Sequence, residues 1–147
     1  MATIRISKIT EADFKELISL FREFAAFEKV PEKMTNSVDQ MIREKDFVNG
    51  FVAKDADGDI VGYATYFFAY YTWVGKSLYM DDLYIRKQYR GMGIGSVLIR
   101  KMIDFAREQN CNKIRWQVSD WNNPAINFYK SLGAQIDDVE RNCDILL

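Results

Sequence analysis

Two adjacent carboxylates, Asp81 and Asp82, sit inside the apolar stretch "SLYMDDLYI", and a glycine-dense loop, "QYRGMGIGS", follows at residues 88–96. Acids in the middle of a strand are costly to bury without a purpose, which points to proton transfer or to binding a cation. Consecutive strand residues face opposite sides, so one acid is expected in a cleft while the other holds a loop or an arginine. Gly91, Gly93 and Gly95 leave the backbone uncovered just before a helix, and a helix N-terminus attracts anions, phosphate above all. Two nucleotide motifs fail here. A P-loop needs Gly-Lys-Ser/Thr where this chain has Gly95-Ser96-Val97. The G-x-G-x-G spacing also departs from the G-x-G-x-x-G of a dinucleotide site, and no βαβ unit surrounds it. A tight turn with no guest is the alternative that glycine spacing by itself leaves open.

The chain has no histidine. Histidine-dependent serine and cysteine triads are therefore excluded, and acid–base chemistry falls to carboxylate, tyrosine, lysine, cysteine or water. The 20 lysines and arginines nearly balance 21 aspartates and glutamates, so no nucleic-acid partner is expected. The opening "MATIRISKITEADF" has no apolar core, and no run approaches the roughly 18 apolar residues of a membrane span. A cytoplasmic protein without membrane contact is expected. Cys111 and Cys143 show neither metal-ligand spacing nor an activating neighbour, so they read as structural thiols and no metal is expected.

The elements that must position these residues follow from periodicity. Ile4, Ile6 and Ile9 alternate as a first strand, and Thr10 with Asp13 forms a capping box. Phe14, Leu17, Ile18, Phe21, Phe24 and Ala25 then predict a helix to about Phe27, with a weaker helical pattern at 37–45. "GFVAKDADGDIVGYATYFFAYY" reads as two strands joined at "DADG", and "KSLYMDDLYI" as the next. A helix follows the glycine loop, "KIRWQV" is another strand, and "NNPAINFYKSLG" is a helix capped by Asn122 and stopped by Gly133. The tail "AQIDDVERNCDILL" leaves room for one or two short strands. This order predicts one α/β or α+β domain over 1–147, a three-layer mixed sheet with helices on its faces.

The spacing Arg90-x-x-Gly93-x-Gly95 resembles the pyrophosphate loop of the GNAT superfamily of N-acetyltransferases. "WNNPAINFYKSLGA" is similar to a second feature of that superfamily, on Asn122, Ala125 and Tyr129. "YFFAYYTWVGKSLYMDDLYI" and "FAAFEK" extend the resemblance to the diamine (spermidine/spermine) N1-acetyltransferase branch, over nearly the whole chain. The resemblance implies a twisted, mostly antiparallel central sheet, a homodimer, and acetyl-CoA as co-substrate for acetylating a small cationic amine. A diamine, a polyamine or a thialysine-like amine would serve. A protein or peptide acetyltransferase and a non-catalytic acyl-CoA sensor are the alternatives.

Roles are carried over residue by residue. A bulged strand at Leu83, Tyr84 and Ile85 would hold the acetyl and pantetheine groups, with a backbone N–H near Leu83 polarising the carbonyl. Arg90, Gly91, Met92, Gly93, Ile94, Gly95 and Ser96 would hold the pyrophosphate, and Asn122, Ala125 and Tyr129 would complete the cofactor site. Tyr129 is the expected proton donor to the leaving sulfur. Asp81 matches a substrate-contacting glutamate shortened by one methylene, and Asp82 matches an aspartate; the pair is the expected base, acting through water. Phe27 and Glu28, side by side, are expected to receive an alkylammonium chain. Arg115, Trp116 and Gln117 are assigned to substrate. Trp73, Tyr70 and Tyr71 either line the amine tunnel or pack.

Overall fold

A computed structural model of the chain describes residues 3–147. They fall into two compact units, one running to Trp116 and the other from Gln117 to Leu147. The first unit begins with β1, Arg5–Lys8. The Thr10 N–H donates to the Asp13 carboxylate (2.8 Å) and the Asp13 N–H to the Thr10 carbonyl (2.9 Å), so the predicted cap forms. It starts a short 3-10 turn over Glu11–Asp13 that leads into α1, Phe14–Phe27. Asp13 is buried and pairs with Lys54 at 2.8 Å. Burial alone would raise its pKa, but Lys54 and the Thr10 N–H outweigh burial and hold it below the usual range.

Asp13→Ala should therefore cost about 1–3 kcal/mol, read by urea unfolding at neutral pH, because a cap and a buried acceptor go together. The folded pKa is lowered, so the wild-type advantage is full above about pH 4 and is lost as pH falls through the folded value.

The sheet has five strands in the order β1-β2-β3-β4-β5. β2 (Asn49–Lys54), β3 (Ile60–Tyr71) and β4 (Gly75–Ile85) form the predicted antiparallel meander. β1 pairs antiparallel with β2, and β5 (Lys113–Arg115) pairs parallel with β4. The mixed, mostly antiparallel sheet is thus as expected. Val52, Tyr63 and Tyr84 stand opposite one another on three strands and bury against Leu17, Ile18 and Leu20 of α1. On the other face, α3 (Ile94–Glu108) sets Phe105 edge-on to Phe51 at 5.6 Å between ring centres. Leu17 and Leu98, one per helix, are fully buried, and each would cost about 2–5 kcal/mol if truncated to alanine.

Two expectations are corrected. "KIRWQV" pairs over only three residues, because the ladder stops at Tyr79 opposite Arg115, just before β4 bends at an extra residue. No strand forms among the described residues after α4 (Asn123–Ser131). Val139, Ile145 and Leu146 of the tail lie exposed with no neighbouring strand to pair with, and an unpaired strand is not stable. The helix predicted at 37–45 is α2, Val38–Arg43, begun by the Ser37 hydroxyl accepting the Gln40 N–H.

Candidate active site

The register of β3 and β4 places Thr65 opposite Asp82 and Tyr66 opposite Met80, leaving Asp81 without a partner. Asp81 is therefore the extra residue of a β-bulge, which breaks the strand's period of two. Asp81 and Asp82 consequently both line one open cavity of about 530 Å³, together with Glu28 from the end of α1. The expectation that the two acids face apart is thereby overturned. Phe21, Phe24, Ala25 and Met34 supply apolar wall, and Thr65, Tyr66 and Phe67 the strand floor.

The bulge orders the acids unequally. The buried Tyr63 hydroxyl donates to Asp82 Oδ2 at 3.0 Å, and the Asp82 N–H donates to Thr65 Oγ1 at 3.2 Å. Burial first, then the neighbouring charges of Asp81 and Glu28, push the Asp82 carboxyl up to about 7, against the opposing hydrogen bond from Tyr63. Burial also raises Asp81. Tyr63 itself is driven well above the usual phenol value by burial and by Asp82, so it stays a donor. An acid that titrates near 7 in a cleft is suited to exchanging protons at neutral pH.

Beyond the bulge, β4 keeps its β3 partners through Ile85 but has no β5 partner past Tyr79. Leu83, Tyr84 and Ile85 thus present backbone groups on a strand edge that can accept an extended guest. The Tyr84 side chain is not part of that edge: it is buried, stacks on Phe24 at 5.2 Å and donates to Glu23 at 3.3 Å.

The glycine loop follows directly. Gly91 and Gly93 have φ of +78° and +80°, a conformation L side chains rarely adopt, and a Cβ at either would meet nothing within 4 Å. Gly93 is the N-cap of α3 and, as a glycine, brings no side chain to satisfy the first N–H groups of that helix. Exposed N–H groups ahead of a 15-residue helix fit a pyrophosphate, and Met92, Ile94, Gly95 and Ser96 carry the remaining amides. The Arg90 side chain is engaged elsewhere: its Nε donates to the Ile85 carbonyl at 2.9 Å, and its guanidinium lies 4.7 Å from the Phe27 ring centre. That contact turns Phe27 toward the loop. Glu28 alone of the Phe27–Glu28 pair lines the cavity, as the 100° step between helical neighbours dictates.

Several assigned residues stand apart from the cavity. Arg115 lies over the Tyr71 ring at 4.5 Å, and neither it nor Trp116 is in the cavity wall. Trp73 and Tyr70 are 96% and 77% exposed, so neither lines a tunnel nor packs. In the second unit, Gln117 donates to Asn142 at 2.7 Å, and Asn122 caps α4 by accepting the Ala125 N–H at 3.4 Å. Tyr129 is 8% exposed there, its ring 5.5 Å from that of Phe128. Tyr63, Thr65, Lys33 and Asn36 are site residues that sequence reasoning did not single out. Tyr63 and Thr65 were within reach, since they alternate on the strand that pairs with the acidic one.

A family model described as "Acetyltransferase (GNAT) family" matches residues 14–134. The chain is 38% identical to the thialysine N-epsilon-acetyltransferase of Mus musculus, across 92% of this chain and 86% of that protein. It is 31% identical to the spermidine/spermine N(1)-acetyltransferase-like protein 1 of Homo sapiens, across 91% of this chain and 21% of that longer one. Its fold is that of an aminoglycoside acetyltransferase from an uncultured soil metagenomic sample, with TM-score 0.79, 22% identity and 97% of each chain covered. The bulged acidic strand, the glycine loop and these matches agree, and the chain belongs to the GNAT family of acetyltransferases.

Proposed function

We propose that this chain transfers the acetyl group of acetyl-CoA to a primary amine of a small cationic molecule, by direct attack with both substrates bound. The observation that carries this is one cavity with three carboxylates, Glu28, Asp81 and Asp82, against an aromatic wall beside a free strand edge. Such a cavity attracts an alkylammonium. The thialysine and spermidine/spermine acetyltransferase relatives support the same substrate class.

Acetyl-CoA supplies the activated thioester; the chain supplies the rest. Glu28 and Asp81 gather the ammonium. Asp82 takes its proton, directly or through one water, and a pKa about 7 makes it roughly a thousandfold stronger as a base than an ordinary aspartate. The nitrogen then bonds to the acetyl carbon as the carbon–sulfur bond breaks, with a backbone N–H near Leu83 polarising the carbonyl. Tyr129 gives its phenol proton to the sulfur, and the second proton that the attacking nitrogen sheds as it becomes an amide restores the phenol; its support is the "WNNPAINFYKSLGA" resemblance and the ready proton of a phenol. The loop at 90–96 holds the pyrophosphate. Gly93→Val, forcing a branched side chain to φ +80°, should weaken acetyl-CoA binding about tenfold or more by calorimetry.

We read the whole chain as one functional domain, since the family match runs from 14 to 134 through both units. A homodimer fits the exposed aromatics Phe67, Phe68, Tyr70 and Trp73 of β3 and its turn, and two free thiols fit a reducing cytoplasm. Among the described residues, no helix is long and apolar enough to cross a membrane. The test is thiol release from acetyl-CoA with a panel of putrescine, spermidine, thialysine, L-lysine and a lysine-bearing peptide. Release with a small amine upholds the reading. Release with the peptide alone replaces it by peptide acetylation, and binding of acetyl-CoA without any release replaces it by an acyl-CoA sensor.

A further inference from the structure

We propose that the Arg90 side chain, although it belongs to the cofactor loop, is a positioning residue for the amine: stacked on Phe27, it holds the last turn of α1 so that Glu28 stays in the cavity wall. This rests on the acetyltransferase reading of the same site. It assigns the arginine's side chain to the amine's half of that site and leaves the loop's backbone to the pyrophosphate.

Three contacts fix the guanidinium. Its Nε donates to the Ile85 carbonyl at 2.9 Å, and its central carbon lies 4.7 Å from the centre of the Phe27 ring and 5.4 Å from that of Tyr84. A cation so placed is held by both rings and by a carbonyl of β4. The rings are tied down in turn. Phe24 stacks on Tyr84 at 5.2 Å, and the Tyr84 hydroxyl donates to Glu23 at 3.3 Å. Glu23, Phe24 and Phe27 share one face of α1, because residues three and four apart are neighbours on a helix. That face is thus fastened to the end of β4, and Arg90 carries the fastening on to the glycine loop.

The chain just past Phe27 makes a strained reversal. Glu28 is the C-cap of α1, and Lys29 after it takes φ +66°, a left-handed conformation that usually falls to glycine. The Lys29 N–H donates to the Ala26 carbonyl at 3.0 Å and the Val30 N–H to the Ala25 carbonyl at 2.9 Å. A non-glycine residue held this way is costly and persists where surrounding contacts over-determine it. The Arg90–Phe27 stack is such a contact, two residues before Lys29 and one before Glu28. Glu28 lines the cavity with Asp81 and Asp82, so the stack sets where an ammonium meets the third carboxylate.

The experiment uses thialysine or spermidine, whichever drives thiol release in the wild type. Arg90→Met and Phe27→Leu should each raise KM for that amine about tenfold with kcat little changed. The dissociation constant of acetyl-CoA, by calorimetry, should stay within about twofold. Both side chains lie at the surface, so neither change opens a cavity in the core. Arg90→Lys, which keeps a cation over the ring, should recover part of the loss. In a Glu28→Gln background, Arg90→Met should add little, because the carboxylate it positions is gone. The proposal is overturned if Arg90→Met weakens acetyl-CoA and leaves the amine KM in place, which would give the side chain to the cofactor. An unmoved amine KM in both single variants, or a full tenfold effect of Arg90→Met in the Glu28→Gln background, also overturns it. If neither amine drives release in the wild type, the acetyltransferase reading itself fails and this one with it, a result distinct from an unmoved KM.

Discussion

Replacing Tyr129 with phenylalanine is expected to lower kcat by about 10²–10³-fold, with little change in KM for either substrate. The loss follows from the leaving group. A departing thiolate must be protonated or stabilised, the chain has no histidine, and a phenol is a ready donor. Tyr129 is buried, and phenylalanine keeps its ring packing against Phe128. Removal of the hydroxyl should therefore cost no more than about 1.5 kcal/mol of stability. Thiol-release kinetics beside a urea titration separate the two quantities. A stability loss with unchanged kcat would make Tyr129 a packing residue.

Asp82→Asn is expected to lower kcat/KM for the amine by about 10²–10³-fold while making the protein more stable at pH 8. Both halves have one cause. Burial and the charges of Asp81 and Glu28 raise the carboxyl to about 7 from the ordinary 3.8, so the ionised form is unfavourable in the fold and useful as a base. A folded pKa above the unfolded one destabilises most where the group is fully ionised, above about pH 7, and the penalty lifts as pH falls toward 4. The stabilisation of Asp82→Asn should thus be largest at pH 8 and shrink toward pH 5 in thermal unfolding. Wild-type kcat/KM should fall below about pH 7 with an acid limb that Asp82→Asn lacks. Tyr63→Phe removes the hydrogen bond that opposes the rise, so its acid limb should move to higher pH. A variant both less active and less stable would place Asp82 in the architecture instead of the chemistry.

Much of this was legible in the residues. The capping box at Thr10, the meander from Asn49 to Ile85 and the glycine loop all depend on local chemistry, and they formed where expected. Asp81 and Asp82 announced themselves as acids inside an apolar strand. Their shared face could not be read, because a bulge is set by pairing with β3, and period-two alternation assumes there is none. Lys33 and Asn36 lie in the irregular segment after α1, where no periodicity marks what a side chain faces. Phe27 and Glu28 looked like one amine-binding pair until Arg90 drew the ring toward the loop. The tail suggested strands by composition, but a strand needs a neighbour to pair with.

The central claim is that amine and acetyl-CoA meet in one cleft beside the β4 bulge and that transfer is direct. A bisubstrate compound, joining the sulfur of coenzyme A through an acetyl spacer to the side-chain nitrogen of L-lysine, tests it in one titration. Inhibition competitive against both acetyl-CoA and the amine, tighter than either substrate binds and weakened in both Asp82→Asn and Gly93→Val, is the predicted result. Inhibition competitive with acetyl-CoA alone, no tighter than coenzyme A and indifferent to Asp82→Asn, would contradict it.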